Sequence, residues 1–115
     1  PSLIIAYSPC IAHGYNMVHS VDQQKTAVNS GYWPLYRFDP RRVDQGQPPL
    51  SLDSGKPKVP VSAFMKNEAR FRMVQKMNPE RYEHLARMAQ IQAMRQYSVY
   101  EQLAGITIPK GDGKE

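Results

Sequence analysis

Apolar and polar positions follow different rhythms along the chain. At the start the apolar residues are continuous: Leu3-Ile4-Ile5-Ala6 has no polar residue within it and stops at Ser8-Pro9. A continuous run of this kind predicts a strand buried on both faces, as in the middle of a parallel sheet. Pro9 has no amide hydrogen for a sheet ladder, so the strand ends near Ser8 and Cys10 falls in the loop past its carboxyl end. In open α/β sheets that is where ligands bind. The rhythm then becomes helical. Met17, Val18, Val21 and Val28 recur with Ala27 between about Tyr15 and Ser30, Gln23, Gln24 and Lys25 give a polar side, and Ser30-Gly31 predicts a left-handed cap. Trp33-Pro34-Leu35-Tyr36-Arg37-Phe38, ended by Asp39-Pro40, predicts a second strand that lies at an edge or starts after Pro34. Strand, helix and strand at this spacing predict a right-handed βαβ crossover, with the second strand parallel to the first.

From Arg41 the pattern is broken by Pro48, Pro49, Pro57 and Pro60 with Gly46 and Gly55, leaving room for a short extended piece at Leu50-Ser51-Leu52. Structureless loops of roughly 20 residues are uncommon in compact domains, so this one is expected to pack along a larger body or to be functionally placed. The remainder reads as helix. Ser62 can cap a segment through Phe64, Met65, Ala69, Phe71, Met73 and Val74 to Met77. Asn78-Pro79-Glu80 then supplies an N-cap, a proline at the first helical position and an acid at the positive end of the dipole. This second helix runs to about Ala104 before Gly105, roughly 40 Å at 1.5 Å per residue. Its expected apolar stripe is Tyr82, Leu85, Met88, Ala89, Ala93, Tyr97, Tyr100 and Leu103, with the pairs Glu80 to His84 and Glu83 to Arg87 on the other side. The chain thus divides into a βαβ unit at 1–40, a proline-rich loop at 41–61, helices at 62–105 and a flexible tail at 106–115.

Composition narrows this picture. The 115 residues suffice for one domain with a modest core, and 41% hydrophobic content is that of a globular chain. No stretch is long enough for a membrane span, and no leader pattern precedes the first apolar run, which points to a soluble cytoplasmic protein. A chain that opens inside a central strand also looks like a piece of something longer. Cys10 stands alone, which excludes an internal disulfide framework and leaves a packed thiol, a nucleophile, or one ligand of a metal site completed from elsewhere. Cys10 and His13 have the spacing of half a metal site or of a nucleophile pair, and Pro9 and Gly14 bend the backbone there. The net charge of +5 suits an acidic partner, a nucleic acid or an ordinary solvated surface. Arg37, Arg41 and Arg42 cluster where the second strand ends, near Cys10 if the strands are parallel. Met73, Met77, Met88 and Met94 read as core filler, and Gly111-Asp112-Gly113 as a polar tail.

Longer blocks carry a resemblance. Tyr7-Ser8-Pro9-Cys10-Ile11-Ala12-His13-Gly14, the run from Asp22 to Pro40, Pro49-Leu50-Ser51-Leu52-Asp53-Ser54, Asn67-Glu68-Ala69-Arg70-Phe71 and Asn78-Pro79-Glu80-Arg81 together resemble the C-terminal part of pyruvate:ferredoxin (flavodoxin) oxidoreductases. The resemblance implies an α/β fold, the C-terminal portion of a thiamine-diphosphate-binding-type domain. It also implies a large homodimeric enzyme that decarboxylates pyruvate on thiamine diphosphate with magnesium, and passes electrons through iron-sulfur clusters to ferredoxin or flavodoxin. The acetyl group goes to coenzyme A. By the same resemblance Cys10 takes the place of one cysteine ligand of a 4Fe-4S cluster whose other ligands lie upstream. Residues that would bind thiamine diphosphate or its metal are not identifiable in this stretch, so by itself it would be inactive.

Other classes fit less well. A small basic domain could bind nucleic acid or act as a protein-interaction module, but the basic residues are scattered and no aromatic-basic or zinc-finger spacing is present. The reading adopted is therefore a partner set of the parent enzyme and its electron carrier, with no nucleic acid and no membrane. A cysteine hydrolase built on Cys10 and His13 lacks an assignable orienting residue and oxyanion hole.

Overall fold

The longest element, helix α4 (Pro79–Ala104), is held at both ends by the residues its sequence offers for the purpose. The Asn78 side chain accepts the amide of Arg81, Pro79 occupies the first turn, and the Gly105 amide closes on the carbonyls of Gln102 and Leu103. Three short helices precede it in the computed structural model, which describes residues 1–111: α1 (Ser20–Asn29), α2 (Val61–Met65) and α3 (Ala69–Met77). The Gly111-Asp112-Gly113 reading therefore falls largely outside the described residues. Between α1 and α2 lies a hairpin of β1 (Tyr36–Phe38) and β2 (Leu50–Leu52), paired antiparallel with Tyr36 opposite Leu52 and Phe38 opposite Leu50. The chain is thus a mixture of helix and strand.

The core is small. Ala27 of α1, Val61, Phe64 and Met65 of α2 and Ala93 of α4 are buried together, flanked by Tyr7, Tyr32, Trp33, Phe71, Tyr82, Ala86 and Ala89. Small residues at Ala86, Ala89 and Ala93 let α2 approach α4, and the Val61 amide donates to Gln90 Oε1 at 2.8 Å. Gly31 ends α1 at φ 78, and a Cβ there would lie 2.9 Å from the Pro57 ring, so both the backbone angle and the loop that folds over it call for glycine. The hairpin rests on α4 through Tyr36 stacked on Tyr100, ring centroids 4.7 Å apart.

The structure departs from the sequence expectations in specific ways. Leu3-Ile4-Ile5-Ala6 forms no strand: Leu3, Ile4 and Ile5 are 84%, 88% and 65% exposed. A strand buried on both faces needs a neighbour on each side, and none of the described residues supplies one. The βαβ unit is accordingly absent, and the second strand pairs instead with Leu50–Leu52, antiparallel. The single helix expected from Ser62 to Met77 is two, broken at Glu68, whose backbone is extended (φ −115, ψ 129). Ser62 caps nothing, because the helix begins one residue earlier, after Pro60. On α4 the expected stripe holds at Tyr82, Ala89, Ala93, Tyr97, Tyr100 and Leu103, which are buried or half-buried, and departs at two places: Leu85 and Met88 are 44% and 47% exposed, and Ala86 packs on the core instead. Met73, Met77 and Met94, read as core filler, are exposed as well.

The radius of gyration is 18.1 Å, against about 13 Å for a compact domain of this length. With an extent of 63 Å along its longest axis, the chain buries little of itself. Among the described residues, no helix is long and apolar enough to cross a membrane.

Candidate functional site

Cys10 is partly buried, in extended backbone (φ −141, ψ 134) at the entrance to a single 3-10 turn, Ile11–His13. The turn is fixed by the His13 amide on the Cys10 carbonyl at 3.0 Å and the Gly14 amide on Ile11 at 3.1 Å. It ends at Gly14 with φ 76, a left-handed conformation open to glycine and costly for other residues. Gly14 is also where the turn meets α3. Its carbonyl accepts the Ala69 amide at 2.9 Å, and a Cβ on Gly14 would stand 2.4 Å from the Ala69 Cβ, a distance at which one of them must move. Arg72 reaches back from α3 to the carbonyls of Lys66 (3.0 Å) and Gly14 (3.4 Å).

Beneath the turn sits the buried carboxylate of Glu68, with no exposed surface. Gln23 of α1 donates to its Oε2 at 2.8 Å, and Arg70 donates through Nε to Oε1 at 2.5 Å. Gln23 also donates to the Phe64 carbonyl and accepts from Asn67, tying the break between α2 and α3 to α1. His13 turns its Nδ1 toward the same carboxylate, 3.9 Å from Oε1 and beyond hydrogen-bond reach. The Tyr7 ring lies beside His13 (6.3 Å between centroids), Trp33 (5.5 Å) and Tyr32 (6.3 Å, edge-on). Burial, and then the nearby Glu68 carboxylate, raise the Tyr7 phenol above its ordinary pKa. Burial opposes the Arg70 charge, but the Glu68 hydrogen bond and field outweigh it and hold the guanidinium protonated. Arg70 also covers the Phe71 ring at 4.6 Å. The Tyr7 hydroxyl, His13 Nδ1 and Arg70 Nη2 are buried without a hydrogen-bond partner among the described residues.

Glu68 escaped the residue-by-residue reading. Its signal was present: a carboxylate between Phe64, Met65 and Phe71, in apolar helical company, is expensive unless paired, so it marks either a break or a buried ion pair. The structure has both.

The Cys10 and His13 pair is brought together only through the backbone. The His13 ring is engaged by Tyr7 and faces Glu68, and no hydrogen bond joins it to the Cys10 thiol among the described residues. Nor do three His, Cys, Asp or Glu side chains gather to hold a metal there among the described residues, so within them Cys10 would act as a single donor. The arginine cluster is committed elsewhere at two of its three members, and Arg42 Nε is buried with no hydrogen-bond partner among the described residues. Arg37 forks onto Asp53 across the hairpin at 2.8 Å, and Arg41 pairs with Asp39 at 2.8 Å. Its expected proximity to Cys10 rested on parallel strand pairing, which does not occur.

Asp39 also caps the 3-10 turn Pro40–Gln45 by accepting the Arg41 amide, and its bonds to Arg41 lower its pKa to about 2. A depressed carboxyl stabilises the fold above its ordinary pKa, and that contribution is lost as pH falls through about 2. The Asp39 carboxyl carbon should therefore titrate by nuclear magnetic resonance near that value and rise part of the way toward the ordinary range in Arg41→Gln, which keeps the backbone amide bond; an ordinary midpoint in the unsubstituted chain refutes the pairing in solution.

No protein-family model matches the chain. Individual relatives do. It is 50% identical over 106 residues, 92% of its length, to a pyruvate-flavodoxin oxidoreductase of Rhodospirillum rubrum. It is 42% identical over 104 residues, 90% of its length, to a pyruvate:ferredoxin oxidoreductase of Moorella thermoacetica. A mitochondrial pyruvate dehydrogenase [NADP(+)] of Euglena gracilis is 42% identical over 82 residues, 70% of the chain. The chain belongs to the pyruvate-flavodoxin oxidoreductase family. It corresponds to about 9% of the length of the first two relatives and 4% of the third. The match to the Rhodospirillum protein covers nine-tenths of the chain, so the segment shared with the oxidoreductases takes in most of the residues around Cys10, Gly14 and Glu68.

Proposed function

We propose that this chain is the C-terminal segment of a pyruvate:flavodoxin or pyruvate:ferredoxin oxidoreductase, in which Cys10 supplies one thiolate to a 4Fe-4S cluster and the remaining residues support that part of the enzyme. The observation that carries the reading is the match across nine-tenths of the chain to oxidoreductases of that name, joined to a single free cysteine held in a defined turn. The parent enzyme is a homodimer that oxidatively decarboxylates pyruvate in the cytoplasm with thiamine diphosphate, magnesium and coenzyme A. The chain has one cysteine, so the other three ligands come from the rest of the polypeptide. The donor set fits: a thiol in extended backbone, in a loop and not inside a helix, can be approached by a cluster carried on other segments. A bound cluster supplies one-electron transfer between the decarboxylation site and the carrier protein. Its place in a thiamine-type sheet would give Leu3–Ala6 the flanking strands that the chain by itself does not have.

The relatives are named for flavodoxin, ferredoxin and NADP as acceptors. A segment common to all of them serves a step common to all, which favours an internal electron-transfer role over docking of the carrier. Arg37 and Arg41, each already paired with a carboxylate, agree with that.

The test is Cys10→Ala in the full-length enzyme, read by iron content and electron paramagnetic resonance after reduction. The variant is expected to bind pyruvate and thiamine diphosphate as before, to lose or alter the signal of one cluster, and to reduce its carrier poorly. A full complement of iron with unaltered signals and normal carrier reduction would make Cys10 a packing residue.

A further inference from the structure

We infer that Glu68 is a positioning residue for the Cys10 turn, and that the break between α2 and α3 exists to bring it there. The inference rests on the reading of Cys10 as a cluster ligand. An unbroken helix from Val61 to Met77 would continue the α2 direction and leave Gly14 without a partner. The break makes Glu68 the N-cap residue of α3 and puts the first turn of that helix against the Cys10 turn.

The contacts are specific. The Gly14 carbonyl takes the Ala69 amide at 2.9 Å and the Arg72 guanidinium at 3.4 Å, and Gly14 has no side chain because Ala69 fills the space where one would be. Glu68 fixes where this helix end sits. Its carboxylate is held from α1 by Gln23 and from its own helix by Arg70, and it faces His13, the last residue of the turn that Cys10 opens. Moving Glu68 therefore moves Ala69, then Gly14, then the turn that aims the Cys10 sulfur. Burying a carboxylate against a guanidinium that is itself 33% exposed is at best weakly stabilising compared with apolar residues of the same size. A purely structural requirement would be met as well by a leucine, whereas a fixed geometry at the turn is what a buried carboxylate with a donor on each oxygen provides.

The experiment uses the full-length enzyme. In Glu68→Gln the same cluster whose signal changes in Cys10→Ala should change, the other clusters should not, and iron release from it to a chelator should quicken about tenfold, as outer partners of metal ligands typically do. Arg72→Gln, a milder change at an exposed side chain, should shift the same signal in the same direction, which keeps the inference testable if Glu68→Gln fails to assemble. Val61→Ala serves as a control for general destabilisation and should leave every signal in place. If Cys10→Ala alters a cluster but Glu68→Gln and Arg72→Gln leave it as in the unsubstituted enzyme, ligation stands and positioning is overturned. If Cys10→Ala alters nothing, the ligand reading fails and takes this inference with it. Equal change of all clusters in Glu68→Gln and Val61→Ala would also overturn it, since general loosening then accounts for the effect.

Discussion

Phe64→Ala will lower the thermal midpoint of the chain by about 10 °C or more, or remove its cooperative transition altogether. Phe64 is fully buried, stacks on Tyr32 with ring centroids 4.3 Å apart, and meets Phe71 edge-on at 6.2 Å. Its neighbours in the core are few and mostly small: Ala27, Val61, Met65 and Ala93. Truncating a buried phenylalanine costs roughly 3–5 kcal/mol, because the transfer energy is lost and the cavity left behind collapses only in part. Small domains have about 5–15 kcal/mol in all, and one with so small a core lies toward the bottom of that range. About 1 kcal/mol moves the midpoint of a domain near this size by several degrees. Circular dichroism melts compare it with Met94→Ala, which alters a residue 60% exposed and should change the midpoint by no more than a degree or two. Equal midpoints for the two variants would mean that Phe64 does not organise the core.

What the sequence revealed was what is decided locally. Asn78-Pro79 and Gly105 bound α4 because capping chemistry involves only the residues at hand. Gly31 closes α1 for the same reason, and Leu50–Leu52 was legible as extended because the prolines around it forbid helix. Choices made between distant residues were not legible. Tyr36–Phe38 was recognisable as a strand, but its partner depended on which other strand stood nearby. The turn Pro40–Gln45, capped by Asp39, brings Leu50–Leu52 back beside it at small loop-closure cost, whereas Leu3–Ala6 has no sheet to join. The break at Glu68 was hidden because the apolar rhythm continues across it, and the partner that stabilises it, Gln23, lies 45 residues away. On α4 the pattern located most of the inward face, Tyr82, Ala89 and Ala93 included, but not its edge: Ala86 packs inward where Leu85 and Met88 were expected, because a small side chain allows the close approach to α2. At the candidate site, Cys10 and the bend around it were visible in the residues. Glu68 was visible only as an anomaly whose meaning required the fold.

The apolar run at Leu3–Ile5 shows the same limit from the other side, and it gives the second large effect: the 115-residue chain alone should associate as its concentration rises, and Ile4→Lys should suppress this. Leu3, Ile4 and Ile5 leave most of their surface in water, 84%, 88% and 65% respectively, in a segment without a paired strand among the described residues. Full burial of each such side chain is worth about 1.5–3 kcal/mol, so covering what the run leaves exposed offers roughly 4–7 kcal/mol, comparable to the cost of ordering a short strand. An extended apolar segment with free backbone groups is also a template for pairing with another copy. On the proposed reading the full-length enzyme holds the same run inside a sheet, where a lysine ammonium has neither water nor a partner, and its burial costs several kcal/mol. The two settings therefore respond in opposite directions to one substitution: Ile4→Lys should make the isolated chain more monomeric by sedimentation velocity, while lowering the thermal midpoint or yield of the full-length protein. A chain that sediments as a monomer at every concentration, together with a full-length Ile4→Lys protein of unchanged midpoint, would show that this run stays on a surface and that the buried-strand pattern at the start of the chain has another cause.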